Sequence, residues 1–404
     1  MKCAIAAVKF SDNLGDGIIF EALSRCLLHH RPDLEIVAID LSGRTSLGGE
    51  HTQRRRRSTG VITMLPKPVR PLLPLIKFGV VDRARLLRHF REGVAGCDYA
   101  IVGGGHLLAD ANLNFPTKLS VLASAVCGLK LPFAFYAVGA SQWSLAARRL
   151  LRSVFRQLDV RWLSVRDVDS QALVREGLSS SETVAVQVTY DPAIACSRFI
   201  PAERPRGTLR KRIGLNVIGT KWMMLDANSA SARAFDLAAY GELVDRILAQ
   251  GHDVALMSNG AEEDHEQMLQ VTDVVAGQIE SGRVTILPRA RGPLELIQQI
   301  SGLDGVVSHR LHATIVAYSY GVPAIGLEWD KKVPSFFAAV GRSQFSLAPA
   351  VQTPETIADA LEIALSKPDD DTAKEARIDE ILVHIGKMVA ALEEPSSRPG
   401  VARA

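Results

Sequence analysis

The segment Ser308-His309-Arg310-Leu311-His312-Ala313 places an arginine between two histidines. It follows the apolar run Gly305–Val307 and opens an apolar helical pattern that ends near Tyr320. A helix N-terminus attracts anions, because its first N–H groups lack intrahelical acceptors and the macrodipole is positive there. Arginine adds a planar fork matching phosphate or carboxylate, and histidine adds a group that gives and takes protons near neutral pH. His309 and His312 share a helical face, so a metal pair is conceivable, but no third ligand follows and no metal is expected. Downstream, Gly321-Val322-Pro323 stops the helix, and the strand-like Ala324–Leu327 delivers Glu328-Trp329-Asp330-Lys331-Lys332. Glu328 and Asp330 there can receive sugar hydroxyls or act as a base, or can pair with Lys331 or Lys332 at the surface.

Three further motifs stand in the N-terminal half. Asn13-Leu14-Gly15-Asp16-Gly17 opens the first helix, where two glycines allow a sharp turn and close approach, and Asn13 or Asp16 can cap the helix. A βα loop needs glycine whatever it binds, so position alone leaves a ligand role open. Gly103-Gly104-Gly105-His106 ends another strand. Leu108 three residues on breaks the dinucleotide fingerprint, and no Gly-Lys-Ser or Gly-Lys-Thr of a P-loop follows. The three glycines therefore signal close approach of either a ligand or neighbouring backbone. In Ser164-Val165-Arg166-Asp167, Arg166 either pairs with Asp167 or Asp169 or points into a crevice as an anion ligand.

The elements around these motifs alternate. Short apolar runs at Cys3–Val8, Leu34–Ile39, Tyr99–Val102, Phe133–Val138, Trp162–Val165 and Val184–Val188 interleave with helical patterns at Asp16–His30, Thr117–Leu129, Leu145–Leu158 and Asp169–Glu176. The rhythm restarts with Ile213–Val217, Val254–Met257, Val284–Ile286, Gly305–Val307 and Ala324–Leu327 as strands. Ala234–Gln250, Asp264–Ala276, Leu294–Ile300 and Leu311–Tyr320 are the helices between them. Continuous apolar strands alternating with amphipathic helices indicate parallel sheets covered on both faces. The expected fold is α/β, with two doubly wound Rossmann-like domains at 1–200 and 213–353 flanking a central cleft. A basic, Pro/Gly-rich linker at 201–212 joins them, helices fill 354–392, and a disordered tail runs from 393 to 404. Ligands of such folds sit at the strand carboxyl ends, where all the motifs above fall.

Composition narrows the function. A net charge of +3 on 404 residues is too small for a dedicated nucleic-acid binder. Five scattered cysteines without a CxxC pair argue for buried free thiols in a reducing cytoplasm rather than disulfides. The N-terminus reads as a strand rather than a signal peptide, and no run of about 18 uncharged apolar residues offers a membrane span. Residues 43–81 break the rhythm with Arg54-Arg55-Arg56-Arg57 and the Pro-interrupted apolar stretch Ile62–Val81. That region is either a solvated loop or a surface touching anionic lipid on the inner face of a membrane, where each arginine contributes roughly 1 kcal/mol.

Taken together, these residues make the chain resemble the polysaccharide pyruvyl transferase family. The matching pieces run in order: Asn13-Leu-Gly-Asp16, Asp98-Tyr-Ala-Ile-Val-Gly-Gly-Gly105, Ser164-Val-Arg-Asp167 with Gly177, Asp191-Pro192, Gly214-Leu-Asn216, Ser308-His-Arg-Leu-His-Ala313, Gly321-Val-Pro323 and Asp330-Lys331. Residues 43–81 and the tail carry no resemblance. The resemblance implies a GT-B-like architecture and transfer of pyruvate from phosphoenolpyruvate onto two sugar hydroxyls as a cyclic ketal. The N-terminal domain would be the acceptor side and the C-terminal domain the phosphoenolpyruvate side. It further implies that Arg310, Leu311 and His312 hold phosphoenolpyruvate, with Arg166 as the matching N-domain arginine. Asn13, Gly15, Gly103, Gly104, Gly105, Glu328 and Lys331 would complete the binding set. His312 would be the acid/base, Arg310 the anion clamp, and Asp16 or Glu328 the group that orients or deprotonates the acceptor. No cofactor beyond the co-substrate is expected. On this reading Arg310→Ala abolishes ketal formation with the fold intact. Two alternatives use the same plan: a nucleotide-sugar glycosyltransferase, and a non-catalytic glycan- or anion-binding subunit.

Overall fold

A computed structural model describes residues 1–48, 72–178, 184–202, 210–219, 235–367 and 370–395. Arg54–Arg57, residues 62–71 of the apolar stretch, most of the expected linker and the end of the tail lie outside the described residues.

The first sheet contains β1 (Lys2–Ala7), β2 (Glu35–Asp40), β3 (Tyr99–Gly103), β4 (Pro132–Val138), β5 (Asp159–Val165) and β6 (Val186–Val188), in the order β2-β1-β3-β4-β5-β6. The second contains β7 (Arg212–Val217), β8 (Asp253–Ser258), β9 (Val284–Ile286), β10 (Gly305–Ser308), β11 (Ala324–Leu327) and β12 (Ser346–Leu347), in the order β12-β11-β10-β7-β8-β9. Every pairing is parallel. The strand order reverses beside β1 in one sheet and beside β7 in the other, which opens a crevice at the carboxyl ends. The registers Ala6↔Val102 and Asn216↔Ser308 bring the loops after β1 and β3, and after β7 and β10, side by side there.

The longer helices among the described residues are α1 (Leu14–His30), α2 (Arg83–Val94), α3 (Asn114–Val126), α4 (Leu145–Gln157), α5 (Val168–Gly177), α6 (Leu237–Ala249), α7 (Glu262–Val274), α8 (Pro293–Ser301), α9 (Leu311–Ser319), α10 (Lys332–Ala339), α11 (Pro354–Ser366) and α12 (Asp371–Glu393). Strand alternation sorts the core. In β1, Cys3, Ile5 and Ala7 join one apolar cluster, while Ala4 and Ala6 join another beneath α2, α3 and α4. The first cluster runs unbroken from the N-terminal sheet through α1 into the C-terminal sheet, so the two halves share one apolar seam.

Three features depart from the sequence expectation. Helices α2 and α10 occupy stretches to which no element was assigned. The helices expected at 354–392 divide between the two sheets. Helix α11, started by Pro354, covers the C-terminal sheet, while α12, capped by Asp370, returns to the N-terminal sheet. There the Tyr136 hydroxyl donates to the Ile381 carbonyl at 3.4 Å, and Arg161 donates to that of Leu392 at 3.1 Å. The row Ile378, Ile381, Ile385, Met388 and Leu392 needs an apolar surface, and that sheet's open face supplies it. Finally, of the five cysteines, Cys127 is exposed rather than buried.

Candidate active site

Strand β10 delivers Ser308, whose hydroxyl accepts the Arg310 N–H at 2.8 Å and fixes the start of α9. The Arg310 guanidinium does not stand free. Its Nε and Nη2 donate to the two carboxylate oxygens of Asp264 at 2.9 and 2.6 Å. Asp264 sits fully buried in the first turn of α7 and also accepts the Gly219 N–H at 2.9 Å. Burial alone would weaken the charged state of Arg310, but Asp264 outweighs it and raises the pKa above the usual arginine range. The fork has five donors and Asp264 engages two of its nitrogens, so others remain for a ligand. The charges of the pair cancel.

His312, in the first turn of α9, reaches across the crevice. Its Nε2 stands 3.6 Å from Oδ2 of Asp191, which follows β6 in the N-terminal half. The other Asp191 oxygen accepts the Ala193 N–H at 3.0 Å. Burial would raise the Asp191 carboxyl, yet His312 and Arg166 outweigh it and hold the pKa below the ordinary value. On the opposite side of the imidazole, a Cβ built on Gly15 would come within 2.5 Å of His312 Nδ1, and one on Gly17 within 2.6 Å of Pro293. Those two glycines are therefore required by contact between α1 and the C-terminal half. The same loop places Asp16 beside the histidine, and burial raises the Asp16 carboxyl despite the attraction of His312. Asn13 makes no side-chain cap of α1. Its carbonyl oxygen accepts from the Asn259 amide at 2.6 Å, a bond between the two halves.

The N-terminal wall carries Gly105, His106 and Arg166. Arg166 lies against His106 Nδ1 at 3.2 Å and 3.7 Å from the Asp167 carboxylate, which itself caps α5. Burial, Arg166 and Lys332 push the His106 pKa down to about 2, so its ring is neutral and can accept from the guanidinium. Gly139 makes room for both side chains, since a Cβ there would meet His106 at 2.6 Å and Arg166 at 2.9 Å. The cleft measures about 510 Å³ including its open mouth, and Arg310, Leu311, His312, Trp329, Asp330 and Lys332 line the C-terminal side.

The structure brings Asn13, Gly15, Asp16, Gly105, Arg166, Arg310, Leu311 and His312 together at this cleft. It does not bring Gly103, Gly104, Glu328 or Lys331. A Cβ on Gly103 would strike Leu23 and one on Gly104 would strike Ile19, and the Gly104 N–H donates to the Tyr136 carbonyl. Those two glycines serve the packing of α1 rather than a ligand. Glu328 turns away to accept from the Ser346 hydroxyl at 2.7 Å. Lys331 is exposed, and its neighbour Lys332 enters the cleft, 2.9 Å from Asp330. The sequence reading missed Asp191 and Asp264 as the carboxylates behind His312 and Arg310; the Asp191-Pro192 motif was a signal for the first, and nothing marked the second. Among the described residues, no three His, Cys, Asp or Glu side chains gather into a metal-binding group.

Two parallel Rossmann-like sheets facing across such a cleft define a GT-B-like α/β fold. Solved structures agree: a protein described as a UDP-N-acetylglucosamine 2-epimerase of Listeria monocytogenes is similar at 10% identity and TM-score 0.59, over 97% of this chain and 95% of that one. A glycosyltransferase of Rickettsia africae reaches TM-score 0.56 at 11% identity, covering 98% and 99%. A Polygonum tinctorium UDP-glucosyltransferase capable of glucosylating indoxyl reaches 0.54 at 12%, covering 98% and 99%. At these identities the likeness concerns the fold alone. No curated protein sequence matches the chain. The family model for polysaccharide pyruvyl transferase matches residues 13–331, and the chain belongs to that family.

Proposed function

We propose that the protein transfers the pyruvyl unit of phosphoenolpyruvate to two hydroxyls of a sugar, forming a cyclic ketal and releasing phosphate. The observation that supports this reading most is the position of His312. It is backed by the buried Asp191 carboxylate and opens onto the same cleft as Arg310, Arg166 and Lys332. Phosphoenolpyruvate carries a phosphate and a carboxylate next to a carbon that must be protonated, and the cleft pairs cationic donors with an acid/base. Because Asp264 cancels the charge of Arg310, that guanidinium orients an anion, as does Lys332 beside Asp330, while Arg166 and the α9 N-terminus meet its charge.

In the proposed sequence, protonated His312 gives its proton to the methylene carbon, and C2 becomes electrophilic. The first sugar oxygen bonds to C2 while Asp16, made more basic by burial, takes the hydroxyl proton. The C2–O bond to phosphate breaks, and phosphate leaves with the Asp16 proton. The second hydroxyl then bonds to C2 and returns its proton to His312. No electrons are gained or lost, and the scheme calls for no cofactor. Phosphoenolpyruvate is a cytoplasmic metabolite, so the reaction belongs on the cytoplasmic side, on a polysaccharide or its lipid-linked precursor.

Phosphoenolpyruvate should raise the melting temperature of the protein, and UDP-sugars should not. With acceptor present, His312→Ala should slow phosphate release by about 10²–10⁴-fold. Stabilisation by UDP-sugars with none by phosphoenolpyruvate would hand the cleft to a glycosyltransferase.

A further inference from the structure

We propose that the cleft-end rim of the N-terminal domain, led by the apolar stripe Leu72, Ile76, Val80 and Val81, docks on an anionic lipid bilayer. The segment 72–81 is a helical turn, Leu72–Ile76, continued by a wider turn, Lys77–Val81. It already spends one apolar face on the core: Leu75 and Phe78 pack toward the cluster beneath α2 and α3, and Gly79 lies over Thr117. The residues between them form a second apolar face. Leu72, Ile76, Val80 and Val81 are 51%, 53%, 71% and 73% exposed, where a solvated helix would carry polar side chains.

Topology places this stripe at the cleft end of the sheet. Thr117 lies in the first turn of α3, which begins beyond the carboxyl end of β3, and the neighbouring Lys118 donates to Ser42 beyond the end of β2. The first residues of α4 and α5, Leu145 and Val168, start at that same end and are also largely exposed. Charge decides what covers such a rim. Around the stripe stand Lys77, Arg83, Arg85 and Arg88 against Asp82, while Arg91 lies at the far end of α2 and donates to the Ala125 carbonyl. Apolar side chains flanked by a basic excess fit the boundary of an acidic bilayer, where the chains enter the acyl edge and the cations meet headgroups. Docked there, the acceptor half of the cleft would open toward a sugar carried on a lipid. This deepens the lipid-linked acceptor reading above, but its test involves no substrate, so the two can fail separately.

The full chain, without substrates, should sediment with phosphatidylcholine vesicles containing phosphatidylglycerol and largely stay in solution with pure phosphatidylcholine. Ile76→Asp with Val80→Asp should weaken partition by more than about tenfold. Lys77→Glu with Arg88→Glu should weaken it by about fivefold per residue on the anionic vesicles only, and added salt should do the same. These side chains are exposed, so melting temperatures should hold; Val81→Ser is a milder check of the same face. The proposal is overturned if the wild type ignores anionic vesicles, or if the variants bind them as well as it does. A lipid-free self-association abolished by Val80→Asp would overturn it too, assigning the stripe to a second copy of the chain.

Discussion

Arg310 and Arg166 both reach the cleft from the carboxyl end of a buried strand, yet their surroundings treat their charge differently. Arg310 is clamped through two hydrogen bonds by Asp264, a carboxylate fully buried in its own half of the molecule. Arg166 leans on His106, which burial and neighbouring cations keep neutral, and has Asp167 only at 3.7 Å. The first arrangement fixes a fork in space at the expense of its net charge. The second keeps more of the positive charge but holds it with weaker bonds. A doubly anionic substrate needs both, one to set orientation and one to supply attraction.

The largest effect should come from breaking the rigid member. Arg310→Ala leaves Asp264 buried and unpaired, and such a loss costs about 3–5 kcal/mol. The expectation from sequence alone, that this variant keeps its fold intact, is therefore revised: it should lose activity and melt early together. Arg310→Ala combined with Asp264→Asn should recover much of the stability but no ketal formation. Calorimetry and phosphate release on the two variants separate the structural from the chemical share, and a single variant as stable as wild type would show that the pair contributes little to the fold.

A smaller, purely functional effect is expected on the other side. Arg166→Lys keeps the charge and loses the fork, along with its hold on His106. If Arg166 binds the anion through charge-assisted hydrogen bonds worth about 1.5–3 kcal/mol, KM for phosphoenolpyruvate should rise roughly 10–100-fold with little change in melting temperature. An unchanged KM would reduce Arg166 to a structural partner of Asp167 and leave the α9 N-terminus as the main attraction.

What could be read from the chain follows from what is local. The βα alternation is a pattern within short windows, so the parallel strands and the crevice at their carboxyl ends were legible, as was the histidine–arginine helix start. Asp264 was not, because its meaning lies in a contact with Arg310, 46 positions away. The triple glycine was legible only as close approach; that Gly103 and Gly104 meet Leu23 and Ile19 while Gly105 meets the cleft depends on where α1 packs. Lys331 and Lys332 are adjacent in sequence, and only the start of α10 decides that the second turns inward. The return of α12 to the N-terminal sheet was hidden for the same reason, since an apolar stripe states that a helix must be covered but not by what.

The smallest expected effect tests a histidine that neither arginine hydrogen-bonds. His309 is fully buried beside Phe235 on the cleft floor, and Trp329 donates to its backbone carbonyl at 2.9 Å. Burial, with the charge of Arg310, lowers its pKa from 6.5 to about 3. Between those two values the unfolded chain takes up a proton that the folded chain refuses, so stability must fall as pH drops through that window. The slope for one such group is at most about 1.4 kcal/mol per pH unit. Asp191 works in the same direction but lower: its folded pKa is depressed, so its contribution is present above the ordinary carboxylate range and is lost as pH falls through the folded value. Denaturant unfolding followed from pH 7 to pH 5, where carboxylates of ordinary pKa stay largely ionised, leaves the share of the histidines held neutral, His106 as well as His309, and the variant separates the two. His309→Gln should flatten that decline by up to about 2 kcal/mol while leaving the Arg310–Asp264 pair in place. An equally steep decline in the variant would mean that His309 gains a proton in the folded state too, and that the cleft floor is wetter than its packing indicates.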